Sequence, residues 1–347
     1  MISPVEIASI LCSISQSNPK GAAHERSGNS FRGGVSPRSI RLRGQSIIEY
    51  VLIIAVIGLV IVFAGPGVAG AVRNQFNQVT NTVDSGTGGD SFMSAEEKAH
   101  QEAMKNIAAK DAKDWTLDEQ EAVAKDIAKN GTSSIAYAKA KAAMDAGTKW
   151  SVKLTDGKTL EYRIIGIDHD DLADGSGKAG LTFLNTPPRG RARMNATDTS
   201  DGGWEKSELR QKMNSGKIWN LMPSDFQSKV KPVRKLTNNV SGTDKNATVS
   251  ATSDRLFLLS YSEIFPNSGW ISGFPWLYSE GTQYEAFKDK VTENNSDNSA
   301  IDYGRNWWLR SPCPYGPGYF VCVRRGDGVA CASLATNSQY VCLAWCF

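Results

Sequence analysis

Two groups of residues in this sequence have the types and the crowding that chemistry requires. Asp168, Asp170, Asp171 and Asp174 put four carboxylates within seven positions around His169, enough negative charge to attract a hard cation such as calcium. An EF-hand needs D-x-D-x-D-G followed by a distant Glu, and the spacing here matches an Asp-rich turn instead. Five of the six cysteines, Cys313, Cys322, Cys331, Cys342 and Cys346, lie in the last 35 residues. Thiols at that density could bind a metal or form disulfides. There is no CxxC, and His24, His100 and His169 are all remote from the thiols. We therefore expect one or two disulfides in an oxidising external compartment, no metal and no cofactor. With no Ser/His/Asp set and no phosphate-binding Walker loop, an enzyme is not expected.

The cysteine-rich stretch has a second peculiarity. Lys, Glu, Gln, Met and Trp supply 63 of the 347 residues, so composition alone puts about five in a 26-residue window, yet Cys313 to Ser338 holds none. The same stretch concentrates Tyr315, Tyr319, Arg324, Arg325, Asp327 and Asn337, with Tyr340 just beyond. Tyr and Arg supply contact area and bidentate hydrogen bonding, the chemistry of interface hot spots. Strand alternation would turn Phe320, Val323, Gly328, Ala330 and Val341 inward. It would leave Tyr315, Tyr319, Cys322, Arg324, Arg325, Asp327, Asn337 and Tyr340 to meet a ligand. Arg325-Gly326-Asp327 spells an integrin-type tripeptide, too short a match to carry weight. Over the whole chain 39 basic residues nearly balance 36 acidic ones, leaving +3, so no nucleic-acid partner is expected.

These residues need a scaffold, and 347 residues with 40% hydrophobic content can build one or more cores. Residues 1–44 are polar and basic, a cytoplasmic leader. Ile47 to Ala64 is apolar except for Glu49 and Tyr50, close to the ~20 residues that cross a bilayer as a helix. Arginines crowd the side before it, which puts the N-terminus inside. We read 45–72 as a transmembrane helix, 73–92 as a flexible linker and 93–148 as a helical stalk. Ser94 with Glu97 and Thr116 with Glu119 fit capping boxes, while Asn130-Gly131 and Asp145-Ala146-Gly147 fit helix ends. From Lys149 the pattern alternates around a Thr155-Asp156-Gly157 turn, and a globular domain spans 149–347. Helices near 203–213 and 223–230 among short aromatic-rich strands give an α+β class.

The stretch Gly44-Gln45-Ser46-Ile47-Ile48-Glu49-Tyr50, which follows a basic leader, resembles the processing site of type IV prepilins. Its Glu-Tyr pair is similar to the Flp/Tad subgroup. The resemblance covers about residues 38–75 and implies a long N-terminal pilin-like transmembrane helix. It also implies cleavage by a prepilin peptidase after Gly44, so that Gln45 becomes the first residue and its amine pairs with Glu49 of a neighbouring pilin subunit. A carboxylate in an apolar helix is costly unless it finds such a partner. Flp pilins are short, and this chain departs from them in carrying a large additional module.

A second resemblance rests on His169-Asp170-Asp171-Leu172-Ala173-Asp174-Gly175, Gly202-Gly203-Trp204-Glu205-Lys206-Ser207-Glu208-Leu209-Arg210, Leu221-Met222-Pro223-Ser224-Asp225, Leu256-Phe257-Leu258-Leu259-Ser260, Glu280-Gly281-Thr282-Gln283-Tyr284 and Trp307-Trp308-Leu309-Arg310-Ser311-Pro312. These resemble successive landmarks of a bacterial surface-domain family that is itself similar to C-type-lectin-fold proteins, some of them targets of diversity-generating retroelements. The resemblance implies a C-type-lectin-like globular domain over 149–347, with segment 313–340 rewritten by mutagenesis at template adenines. Randomised AAY codons never yield Lys, Glu, Gln, Met or Trp, the types missing from Cys313 to Ser338, and some cysteines would then be products of diversification. Trp307, Trp308 and Arg310 belong to the last landmark and would brace the site from the core.

These readings imply a single-pass protein of the cytoplasmic membrane, N-terminus inside, displayed at the cell surface or in a pilus. Its partners would be a prepilin peptidase, other pilin subunits, the membrane and an external protein or glycan. The favoured role is a pilin-like adhesin or receptor. The alternative is a minor pseudopilin that primes filaments or serves secretion, for which Glu49 matters and the C-terminal face does not. An enzymatic reading follows from the lectin-like architecture of formylglycine-generating oxidases, whose cysteines bind copper. The irregular cysteine spacing here offers no paired-thiol site for it.

Overall fold

The computed structural model describes residues 94–266, 272–292 and 298–347, all within one unit of the chain. Gly44, Gln45, Glu49, Tyr50 and the expected membrane span lie outside the described residues.

The first helices follow from local chemistry. Helix α1 (Ala95–Ala109) opens on a capping box in which Ser94 Oγ accepts from the Glu97 amide at 3.1 Å and Glu97 Oε2 accepts from the Ser94 amide at 2.9 Å. Thr116 and Glu119 repeat the arrangement at the start of α2 (Leu117–Asn130). Gly131 ends α2, and α3 (Tyr137–Ala146) ends at Gly147, whose φ of 65° is the left-handed conformation that glycine adopts without strain.

Strands β1 (Lys149–Lys153) and β2 (Thr159–Ile167) pair as an antiparallel hairpin, followed by β3 (Leu181–Asn185) and the short β4 (Arg191–Ala192). Helices α4 (Glu208–Asn214) and α5 (Ser224–Lys229) precede the hairpin of β5 (Val233–Asn238) and β6 (Val249–Asp254). Last come β7 (Trp307–Pro312), β8 (Tyr319–Val323), β9 (Ala330–Leu334), β10 (Gln339–Tyr340) and β11 (Ala344–Cys346). Among the described residues they make a four-stranded sheet β1-β2-β3-β11, a five-stranded sheet β4-β10-β7-β8-β9 and the two-stranded β5-β6. The final strand thus returns to the first sheet, where Trp345 packs edge-on to Tyr162 and Phe226.

The helices before residue 149 do not form a separate stalk. Trp115 stacks on Trp150, ring centroids 6.3 Å apart, and the Tyr162 hydroxyl donates to Gln120 Oε1 at 3.0 Å. α2 comes so close to the chain entering β3 that a Cβ on Gly180 would lie 1.9 Å from the Ala124 carbonyl oxygen. Val123, Ala124 and Ile127 share one buried core with Ile164, Phe183 and Trp345. A sheet must bury its apolar face against another layer, and here the helices supply that layer. Each large apolar side chain so covered contributes roughly 1.5–3 kcal/mol.

This corrects the expected class. Among the described residues no helix is long and apolar enough to cross a membrane, the helices of 95–146 belong to the core of the β domain, and the C-terminal region is mostly β. Its described α-helices, α4 and α5, have seven and six residues.

Candidate functional site

The residues expected to meet a ligand fall into three places. β8 and β9 run antiparallel from the pair Tyr319 and Leu334 to the pair Val323 and Ala330, so the connections at their two ends carry different members of the set. At one end Tyr315 is 63% exposed, Tyr319 is half-buried, and Asn337 is exposed with its amide donating to Ser333 Oγ at 3.2 Å. Arg324 and Asp327 close the hairpin turn at the other end, roughly 17 Å along the strand. Arg324 Nε lies 3.0 Å from Asp327 Oδ2, and this guanidinium holds the Asp327 carboxyl below its ordinary range. Arg325 and Tyr340 meet in a concave basin of about 540 Å³ that Arg191 and Arg305 also line. There the Tyr340 ring lies 4.5 Å from the Arg305 guanidinium and 5.8 Å from that of Arg191.

Cys322 is withdrawn from any ligand, being 1% exposed and disulfide-bonded to Cys331, its direct neighbour across β8 and β9. The expected alternation fails along this strand because both its faces are covered: Phe320, Val321, Cys322 and Val323 are all buried. Cys313, Cys342 and Cys346 are buried free thiols. Burial pushes Cys313 up to about 11 and the other two well above the ordinary thiol value, so none is a thiolate at neutral pH. All of these cysteines except the half-buried Cys331 are buried, so they pack against the core or pair with one another and do not present thiols to a ligand. Among the described residues no group of three or more His, Cys, Asp or Glu could hold a metal ion.

Asp170, from the Asp-rich turn, sits in a buried ionic cluster. Lys235 of β5 places its Nζ 2.6 Å from Asp170 Oδ1 and 2.5 Å from Glu263 Oε1. Arg310 binds the same Glu263 carboxylate, and its remaining donors go to the Thr237 hydroxyl and the carbonyls of Leu236, Leu258 and Glu280. A register shift in β7 between Trp308 and Pro312 frames this inward-turned Arg310. Trp307 and Trp308 are wholly buried and donate their ring N–H groups to Ile301 O and Ala192 O. Burial alone would raise the Asp170 carboxyl, but Lys235 beside it holds it well below its usual range. Against the same burial, Arg310 and Lys235 lower Glu263.

Glu280 behaves differently: burial pushes it up to about 7, although its carboxylate accepts from the Asn238 amide at 2.9 Å and from Ser311 Oγ. With Glu280 neutral, two cations face two carboxylates. Asp170, the most exposed member of the cluster, is only 4% exposed, so no substrate reaches it. The cluster joins β5, β7 and the loops between them as scaffold.

The open site is a groove of about 790 Å³ between the β1–β2 turn, the segment through β4, and the turn after α4. Its floor is aliphatic, with Leu154, Leu160, Ile218, Leu221, Met222 and Val341. Its walls are cationic: Arg189, Arg191 and Arg193 from one segment, Lys212 and Lys217 from another, then Lys158 and Arg305. Asp156 is the single carboxylate in the lining. Arg191 and Arg305 also line the basin of Arg325 and Tyr340, so the two surfaces are continuous. The sequence did carry a signal for this wall, in Arg189-Gly190-Arg191-Ala192-Arg193, where guanidiniums alternate with the period of one strand face.

Fold and site together define a mostly β domain with a buried ionic centre and a cationic groove. Residues 181–341 match a family model described as a domain of unknown function, DUF6273; the match runs from β3 to Val341 and so takes in the arginine wall and the five-stranded sheet. No curated protein and no solved structure matches the chain.

Proposed function

We propose that this chain is a non-catalytic binding protein, processed after Gly44 by a prepilin peptidase and presented at the cell surface or in a pilus, where segment 313–340 meets an external protein or glycan. The observation that supports it is how Cys313 to Ser338, the stretch without Lys, Glu, Gln, Met or Trp, divides in space. Phe320, Val321, Val323 and Ala335 are buried, while Tyr315, Arg324, Arg325 and Asn337 are exposed in the connections between strands. Connections on a rigid scaffold tolerate change that strands do not. The Cys322–Cys331 bond suits the oxidising compartment that such display requires.

Two measurements test this. Amino-terminal sequencing of the mature protein should start at Gln45, and recovery of chains that retain residues before Gly44 as the stable form refutes processing. Exchanging residues 313–338 between natural variants should move binding specificity with the segment. Unchanged targets and affinities after exchange would show that this face is not the binding surface.

A further inference from the structure

We infer that the groove walled by Arg189, Arg193 and Lys217 binds an acidic peptide segment, an extended chain in which aliphatic residues are interspersed among aspartates or glutamates. Cations and carboxylates on an ordinary surface are intermixed. Here seven cations and one carboxylate line the groove, and Arg325 extends the row into the adjoining basin, in a chain whose total charge is only +3. Among the described residues Asp156 and Glu208 act on Arg189 and Arg193 only through space, without a hydrogen bond. Asp156, the lone acid, is already 3.4 Å from Lys158 Nζ. Like charges gathered this way repel one another. Arg193, Lys217 and Arg305 are exposed, and an anion in the groove would relieve this excess of positive charge.

The floor decides which anion. Nucleic acid bases need aromatic faces to stack on, and the only aromatic residue lining either surface is Tyr340, already flanked by Arg305 and Arg191. Sugar hydroxyls need acceptors, and the groove's one carboxylate is paired. An aliphatic floor below guanidinium walls suits a peptide that buries leucine-like anchors while its carboxylates take bidentate bonds from arginine. The inference stands apart from the role given to segment 313–340. Lys158, Arg189, Arg193, Lys212 and Lys217 all lie outside that segment, and exchanging it leaves them in place.

The test is fluorescence anisotropy of the whole chain with a labelled peptide of about 12 residues, glutamate throughout except leucine at every third position. Binding should weaken at least tenfold between about 50 and about 300 mM salt, and about tenfold when serine replaces the leucines. The R193E/K217E double variant alters two exposed side chains and should bind at least tenfold more weakly with an unchanged urea midpoint. R189A with R305A is the second variant, with the same expectation. A chain with 313–338 exchanged should keep most of its peptide affinity, which separates this site from the one proposed above. The inference is overturned if the peptide does not bind, if both variants bind it normally, or if a sulfated polysaccharide or oligothymidylate binds more tightly.

Discussion

Arg310 grips Glu263 at two points, Nη1 to Oε2 at 2.5 Å and Nη2 to Oε1 at 2.9 Å, with both side chains sealed from solvent. The pair links β7, which leads into the segment of Tyr315 and Tyr319, to the loop that carries Glu263 and, through Leu236 O, to β5. Lys235 and Asp170 extend it to the loop between β2 and β3. The surface connections at 313–338 are therefore anchored from below by charges that no solvent screens.

Removing one partner of such a pair leaves a buried uncompensated charge, which costs about 3–5 kcal/mol. Glu263→Gln should lower unfolding stability by that amount, measured as a urea midpoint. A loss under about 1 kcal/mol would show that the pair behaves like an exposed one.

The cluster also sets a pH optimum. Glu280 rises from 4.5 to about 7 on folding because it is buried, so the native state holds this proton more tightly than the unfolded chain. The stability it contributes is complete below about 4.5 and is lost as pH climbs through about 7, by at most about 3 kcal/mol at 1.36 kcal/mol per unit. Asp170 and Glu263 are lowered, so their contribution is present above their unfolded values and is lost as pH falls below them. Stability should peak near about pH 5 and decline toward about pH 8, and Glu280→Gln should flatten that decline. An unaltered pH profile in the variant would rule Glu280 out as its source.

Docking of the helices onto the sheet predicts a strong effect at Gly180. Valine there would drive a Cβ into the Ala124 carbonyl, and helix and sheet must separate to admit it. Trp115→Ala removes the partner of Trp150 and should cost about 3–5 kcal/mol. If both variants unfold at the wild-type urea concentration, the helices contribute nothing to the core and the stalk reading returns.

Reduction offers a fourth check. Cys322 and Cys331 are 9 residues apart, and closing so short a loop contributes about 2–3 kcal/mol through the unfolded chain. Dithiothreitol, or the C322S/C331S double variant, should lower stability by about that much, and alkylation of the unfolded protein should count two fewer free thiols before reduction than after. Equal counts would remove the bond.

Local chemistry was legible in advance. Ser94 with Glu97, Thr116 with Glu119, and Gly147 announce helix ends because caps involve residues within one turn of each other. The Thr155-Asp156-Gly157 turn is equally local, with Gly157 at a φ of 79°. Alternating arginines at 189, 191 and 193 could be seen as one face of an extended segment. Companions drawn from elsewhere in the chain could not. Asp170 belongs to an acidic stretch that looks like a solvated turn, and it is buried because Lys235 arrives from 65 residues away.

By itself the sequence determined where helices cap, where the β1–β2 hairpin turns and which terminal stretch lacks five residue types, since each depends on neighbours along the chain. Only the tertiary structure decided that the capped helices cover a sheet, that Cys322 is spent on Cys331, and that Arg189, Lys217 and Arg305 wall one groove. Those outcomes depend on which apolar faces find each other, and burial is a property of the whole packed core that no local spacing encodes.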